Sequence, residues 1–272
     1  MSLFVCPVCA GELNKEGSSL VCDKRHTFDL SKTGAVNLML SNGKKAVYHG
    51  DGVEMVRARR DFLEKGYYKV LSQCVADTAV KYATEDTVYY FDAGCGTGYY
   101  TKNVVAALSK NHTVFAAGVD ISKEAVKISS KAVKECEFAV ASVYSLPVES
   151  EKFDIVTNIF SPQADREYAR ILKKGGILLY AVPAPEHLYS MKSILYENPY
   201  ENEEKEVEYE DFELVERIKA KDKIHIEGEE IQNLFSMTPY FWRTSKEGTA
   251  RLLGTKALEV EISFYVYVYK KK

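Results

Sequence analysis

The seven residues Asp92-Ala93-Gly94-Cys95-Gly96-Thr97-Gly98 constrain this chain more than any other stretch. They follow an apolar, aromatic and β-branched run, Thr87-Val88-Tyr89-Tyr90-Phe91. They precede a helical pattern that begins at Tyr99 and places Val104, Val105 and Leu108 on one face. Strand, tight loop and helix in that order open an α/β unit. Alternating glycines let the backbone approach a ligand that a Cβ would push away. The spacing D-x-G-x-G-x-G differs from the G-x-G-x-x-G of dinucleotide folds, which argues against a nicotinamide oxidoreductase. A loop that merely needs glycine for its turn is the bland alternative.

The segments downstream favour a ligand. A second strand, Val114–Val119, ends in Asp120, twenty-two residues after Gly98. A carboxylate there can accept both ribose hydroxyls of a nucleoside. A third strand, Glu137–Val140, ends near Ala141-Ser142, where an adenine edge can be read. Asp92, Gly94, Gly96, Gly98, Asp120 and Ser142 are therefore candidate cofactor-binding residues. Further strands are expected at Phe153–Ile159 and Ile177–Val182, with a helix at Arg166–Leu172 closed by Lys173-Lys174-Gly175-Gly176. A strand near Phe212–Ala220 and a helical patch at Glu229–Phe235 follow. The alternation Val260, Ile262, Phe264, Val266, Val268 within Glu259–Tyr269 reads as an antiparallel strand. Five βα units with two late strands describe an α/β class I (Rossmann-like) S-adenosylmethionine methyltransferase.

The N-terminus carries a second signal. Cys6, Cys9, Cys22 and His26 are spaced C-x2-C-x12-C-x3-H. Two close pairs of soft ligands separated by a loop suit one tetrahedral zinc ion per chain, and four protein ligands make a closed, structural site. Gly11, Asn14, Gly17 and Ser18 suit a hairpin between the pairs. So small a module takes much of its folding energy from the metal. A redox CxxC is the other reading, although such motifs sit in a βαβ context. The expected organisation is a zinc ribbon at 1–40, a helical linking segment at 41–84 and the methyltransferase domain at 85–272.

Composition narrows the function. A net charge of −3 excludes a uniformly basic nucleic-acid coater, so any nucleic-acid contact must use a local patch. No run reaches the roughly 20 apolar residues of a membrane span. No secretory signal is visible, and the chain reads as cytoplasmic. Arg57, Arg59 and Arg60 lie on an amphipathic helix, with Asp51 and Glu54 as its capping box. They can grip phosphate or form a solvated face. Lys24, Arg25, Lys44 and Lys45 carry the same ambiguity. Asn158, Phe160 and Pro162 mark the exit of the fourth strand, where an aromatic can stack on a base. Residues 197–216 hold ten acidic side chains and one lysine. The nineteen tyrosines give no stripe that can be interpreted.

Several segments together carry a resemblance: CPVC at 6–9, CDKRHTFDLSKTGAVNLM at 22–39, RARRDFLEKGYY at 57–68, FDAGCGTGYYT at 91–101, VDISKEAVK at 119–127, VPAPEHL at 182–188 and MTPYFWR at 237–243. The chain resembles, over nearly its whole length, the bacterial 23S ribosomal RNA guanine-N1 methyltransferases, including the relatives linked to tylosin resistance. The resemblance implies a zinc ribbon at Cys6, Cys9, Cys22 and His26. It implies S-adenosylmethionine contacts from Tyr68, Thr97, Gly98 and His187, with Asp120 in the ribose position. It also implies 23S rRNA as partner and a homodimer whose zinc modules flank an RNA cleft. Two rivals stand beside it: a methyltransferase of a small molecule or protein, and a non-catalytic RNA-binding protein that keeps the cofactor fold.

Overall fold

The computed structural model describes residues 1–40, 52–204 and 209–272. Four short strands come first: β1 (Asn14–Glu16), β2 (Ser19–Val21), β3 (Thr27–Asp29) and β4 (Val36–Asn37). Helices α1 (Val53–Glu64) and α2 (Lys69–Tyr82) follow. An alternating series then runs β5 (Thr87–Ala93), α3 (Tyr99–Leu108), β6 (Thr113–Asp120), α4 (Lys123–Ala132), β7 (Cys136–Val140), β8 (Phe153–Ile159), α5 (Asp165–Ile171) and β9 (Leu172–Pro183). The remainder is α6 (Tyr189–Leu195), β10 (Phe212–Glu227), α7 (Glu229–Ser236), a 3-10 turn (Pro239–Trp242), α8 (Lys246–Leu253) and β11 (Ala257–Lys271).

The large sheet has the order β10-β11-β9-β8-β5-β6-β7-β4. The strands from β4 to β9 are parallel, and β11 runs antiparallel between β9 and β10. Register aligns Ala93 with Val119 and Asp120 with Val140, so the glycine loop, Asp120 and Ser142 leave the sheet at one edge. The strand order reverses at β5, which pairs with β6 on one side and β8 on the other. Open α/β sheets bind ligands at such a switch point.

Both faces of the sheet are covered. Along β5, Val88 and Tyr90 pack with the helices α1, α2 and α3, while Phe91 and Ala93 face the other side. Residues of β11 divide the same way. Val260, Ile262, Phe264, Val266 and Val268 join the helical side. Tyr265, Tyr267 and Tyr269 form a ladder on the opposite face, with ring centroids 6.0 and 6.2 Å apart. The tyrosines do therefore form a stripe in part; strand alternation, legible in the sequence, builds it.

The N-terminal forty residues are sewn to this sheet. β4 extends it in parallel beside β7, with Val36 opposite Ala139. Phe4, Leu13 and Leu20 share one hydrophobic cluster with Val143, Leu146 and Val148. At α1 the N-cap is Gly52, with no side-chain cap bond. The capping box expected of Asp51 and Glu54 falls on Asp51, which lies outside the described residues, as do Lys44 and Lys45. Among the described residues no helix is long and apolar enough to cross a membrane.

Candidate active site and metal centre

Two tight turns build the metal centre. The N–H of Ala10 donates to the carbonyl of Cys6 at 2.8 Å, and that of Arg25 to the carbonyl of Cys22 at 2.7 Å. Ala10 and Arg25 both take left-handed backbone angles, φ 57° and 63°. The turns bring the ligand atoms of Cys6, Cys9, Cys22 and His26 within 4.8 Å of one another. Cys9 and Cys22 sulfurs stand 3.7 Å apart, and His26 Nδ1 lies 3.5 Å from Cys6 Sγ and 3.3 Å from Cys22 Sγ. A tetrahedron with zinc–sulfur bonds of about 2.3 Å has sulfur–sulfur edges of about 3.8 Å and sulfur–nitrogen edges of about 3.6 Å. The four residues fit zinc. Burial pushes the Cys22 thiol up, but bonds at His26, Cys9 and Lys24 outweigh it and hold the thiol near the thiolate range, at about 7.

The glycine loop hangs on the end of β6, where the N–H groups of Gly94 and Cys95 both donate to the Val119 carbonyl at 2.9 Å. Gly94, Gly96 and Gly98 have φ of 93°, 52° and 80°. A Cβ on Gly94 would stand 2.3 Å from Ser161 Oγ, and one on Gly98 would stand 2.9 Å from Ser129 Cβ. One on Gly96 would meet no protein atom within 4 Å. That side of the loop is open. Asp120 braces it: Oδ2 accepts the Gly96 N–H at 3.0 Å and Oδ1 accepts the Ser122 N–H at 2.8 Å. Ser142 stands beside Asp120, its hydroxyl accepting the Tyr144 N–H at 3.2 Å, and Thr97 is buried. Asp92 is buried too, and its carboxylate accepts the Thr101 hydroxyl at 2.6 Å. Burial raises its pKa to about 6.

An aromatic chamber adjoins the loop. Tyr68, at the start of α2, packs edge-on against Phe62, His187 and Phe264 with centroids at 5.4, 5.8 and 4.9 Å. Tyr68 Oη is 3.3 Å from His187 Nε2, and the Ser263 N–H donates to His187 Nδ1 at 3.2 Å. Nδ1 is thus the acceptor, so the neutral ring carries its proton on Nε2 and donates to Tyr68. Burial, helped by the Lys192 charge, drives His187 down to about 3 and keeps it neutral. Burial likewise holds Tyr68 and Tyr100 protonated. Phe160 takes a left-handed φ of 57°, remains 45% exposed, and lies 5.6 Å from Phe264 and 6.5 Å from Tyr100. The buried hydroxyl of Tyr100 has no hydrogen-bond partner among the described residues. A desolvated hydroxyl of this kind normally finds a partner, and a ligand can supply one.

Residues 4–46 match the family described as "RlmA, N-terminal", a zinc ribbon, and residues 91–176 match the family described as "Methyltransferase domain". A Streptomyces fradiae protein named 23S rRNA (guanine(748)-N(1))-methyltransferase is 29% identical over 273 residues, covering 96% of this chain and 95% of its own. Two further proteins bear the name 23S rRNA (guanine-N(1)-)-methyltransferase provisionally. YxjB of Bacillus subtilis is 29% identical over 286 aligned residues, 99% of this chain and 98% of its own. A protein of Micromonospora griseorubida is 30% identical over 204 residues, 68% of this chain and 67% of its own. This chain belongs to the 23S rRNA guanine-N1 methyltransferase family. It is an S-adenosylmethionine-dependent methyltransferase with an N-terminal zinc ribbon. The fold also matches a chain of the complex between the Haloferax volcanii Trm112 methyltransferase activator and its methyltransferase. There the TM-score is 0.51 and the identity 18%, with 82% of this chain and 99% of that one covered.

Within the family frame the sequence-predicted residues sort by position. The glycines, Asp120 and Ser142 gather at the edge where β5, β6 and β7 end. Tyr68 and His187, 119 residues apart, meet. Asn158 does not frame a base. It is fully buried, its Nδ2 donating to the Pro162 carbonyl and Tyr168 hydroxyl at 2.9 and 2.7 Å and its Oδ1 accepting the Ser161 N–H. It braces the turn that carries Phe160. The arginines split: Arg59 donates to the Met237 carbonyl at 3.2 Å, whereas Arg57 pairs with Glu124 on α4. The acidic 197–216 stretch is partly consumed by pairing of Glu216 with Lys81 and of Glu204 with Arg217; residues 205–208 lie outside the described set. Tyr100, Thr101 and Phe264 were missed. A Tyr-Tyr-Thr run inside a helix start gives no signal until the fold turns it toward the loop.

Proposed function

We propose that this protein methylates N1 of a guanine in 23S rRNA, with the target base presented in a hairpin loop or flipped from its stack. The observation that supports this most directly is the union of a zinc ribbon and a methyltransferase sheet in one hydrophobic core, in a chain whose full-length relatives carry that name. A base held in a duplex cannot reach a methyl donor, so an unpaired target suits the chemistry. S-adenosylmethionine, when bound, supplies an electrophilic sulfonium methyl. The chain's task is to orient guanine N1 toward it and exclude water. In this reading Gly94, Gly96, Thr97 and Gly98 cradle the cofactor, Asp120 takes its ribose hydroxyls and Ser142 its adenine edge. Asp92 holds the loop through Thr101.

Tyr68 and His187 have the cofactor or base beside them. Because His187 donates to Tyr68, the Tyr68 proton is left to donate to a ligand. Neither group takes the N1 proton at neutral pH, since His187 is too weak a base and Tyr68 stays protonated, so the proton leaves to solvent as the sulfonium becomes a neutral thioether. They act as positioning residues, and Phe160 offers a face for stacking. The protein works as a homodimer in this reading, with two ribbons flanking the RNA. The experiment is to incubate unmodified 23S rRNA with the protein and S-adenosylmethionine, digest it to nucleosides and separate them by mass spectrometry. Formation of 1-methylguanosine is the expected result. Transfer of the methyl group to another nucleoside only, or to no RNA, overturns the proposal.

A further inference from the structure

A cleft of about 500 Å³ separates α1 from α4, lined by Arg57, Arg60 and Glu64 on one side and Glu124, Lys127 and Lys131 on the other. The sequence sets this charge pattern deliberately against helix stability. Lys123, Lys127 and Lys131 recur every four residues, so they rise along one side of α4 at intervals of about 6 Å. Like charges at that spacing destabilise the helix that carries them. Glu124 offsets them only from below. Its side chain is 19% exposed, whereas its partners Arg57 and Lys127 are 57% and 59% exposed. Glu124 sits on the floor, while Glu64 is exposed at the rim, so four cations line the cleft against two carboxylates, with Arg60 also paired to Asp61. The outward field is positive, in a chain whose net charge is −3.

The cleft also has a direction. At one end the ribbon abuts α4, where Thr33 Oγ1 lies 2.7 Å from Ser130 Oγ, beside Lys131 and next to the exposed Lys32. At the other end Glu124 follows Asp120 by four residues. The cations therefore line a path from the zinc ribbon to the edge of the cofactor loop. None of them belongs to the loop or the aromatic chamber.

We propose that this cleft holds the phosphodiester backbone of the RNA strand flanking the target base, with Arg57, Arg60, Lys127 and Lys131 contacting successive phosphates. The proposal rests on the reading of the protein as an rRNA methyltransferase. Its test is the variant Lys127→Glu/Lys131→Glu, with Lys110→Glu/Lys174→Glu as a control of equal charge change at exposed sites away from the cleft. Affinity for a 23S rRNA fragment is measured against salt. Loss of two phosphate contacts should weaken binding at least about tenfold at moderate salt and lower the log–log salt slope by about 1.4. S-adenosylmethionine affinity and zinc content should match the parent, and the control should retain the parent slope. Should the charge reversal unfold the protein, Lys127→Gln/Lys131→Gln is read the same way. A slope and affinity equal to the control's overturn the cleft assignment. Polyglutamate that competes as well as RNA of equal charge assigns the cleft to an acidic protein instead. A parent protein that neither binds nor methylates 23S rRNA overturns the functional reading itself, which is a separate outcome.

Discussion

Gly96, Asp120 and His187 make the site's chemistry testable one side chain at a time. A Cβ on Gly96 meets no protein atom, so Gly96→Ala should cost the fold only the left-handed backbone penalty of about 1–2 kcal/mol while weakening S-adenosylmethionine binding. Calorimetric titration beside a thermal melt separates the two effects; unchanged affinity would place the cofactor elsewhere. Asp120→Ala should weaken binding about ten- to hundredfold, because charge-assisted bonds of roughly 1.5–3 kcal/mol are lost. Two buried groups at the site act on the pH dependence in opposite directions. His187 titrates at about 3 folded against 6.5 unfolded, so its contribution is complete above 6.5 and is lost as pH falls toward 3. Asp92 titrates at about 6 folded against 3.8 unfolded, so its contribution is complete below 3.8 and is lost as pH rises through 6. Between pH 3.8 and 6 they oppose each other. Relative to the parent, His187→Gln should therefore lose less stability as pH drops through that window, and Asp92→Asn should lose more, as denaturant melts at several pH values would record. The loop residues were legible because glycine spacing and a carboxylate at a strand end have few other uses. The Tyr68–His187 bond and the orphaned Tyr100 hydroxyl were not, because they depend on side chains brought from distant segments.

At the scale of elements, the ribbon and the sheet are less separable than their spacing in the chain implies. The ligand spacing makes the ribbon plain, and the two pairs do converge. What the sequence hides is β4, a strand of two residues, too short to have a period. It binds the ribbon to β7, and Phe4, Leu13 and Leu20 complete the core beneath β6 and β7. Cys9→Ser should therefore lower zinc content and also lower the melting temperature of the methyltransferase sheet in one shared transition. Metal analysis with scanning calorimetry checks this; two transitions, with the larger one unmoved, would show that the ribbon folds apart. Phe4→Ala, which empties a fully buried site between the two, should cost about 3–5 kcal/mol. The parallel strands were easy to place because burial on both faces makes each an apolar run. α6, α8 and the 3-10 turn were not placed, since short segments give too few residues for a helical period.

At the scale of the whole molecule, the glycine loop, Asp120 and Ser142 lie at one edge of the sheet, and the zinc ribbon joins the sheet at its side through β4. The βα alternation and the late antiparallel pattern were both visible in the sequence; the order of the strands came only with the fold. Surface charge was harder to read. Arg57 and Arg60 share one face of α1 and Arg59 points elsewhere on the helical wheel, but only the fold shows that Arg59 meets Met237 and the other two face α4. The acidic 197–216 stretch looks hostile to RNA, yet part of it is spent on pairing with Lys81 and Arg217. On the proposed function, this assembly carries a methyl group to N1 of one guanine in 23S rRNA. Methylation there abolishes Watson–Crick pairing, so primer extension on treated 23S rRNA measures it directly. The expected result is a single new stop at a loop guanine that needs both protein and S-adenosylmethionine, weakens with Asp120→Ala and disappears when that guanine is replaced by adenine. Full-length protein that binds S-adenosylmethionine yet leaves unmodified 23S rRNA without any new stop would contradict it.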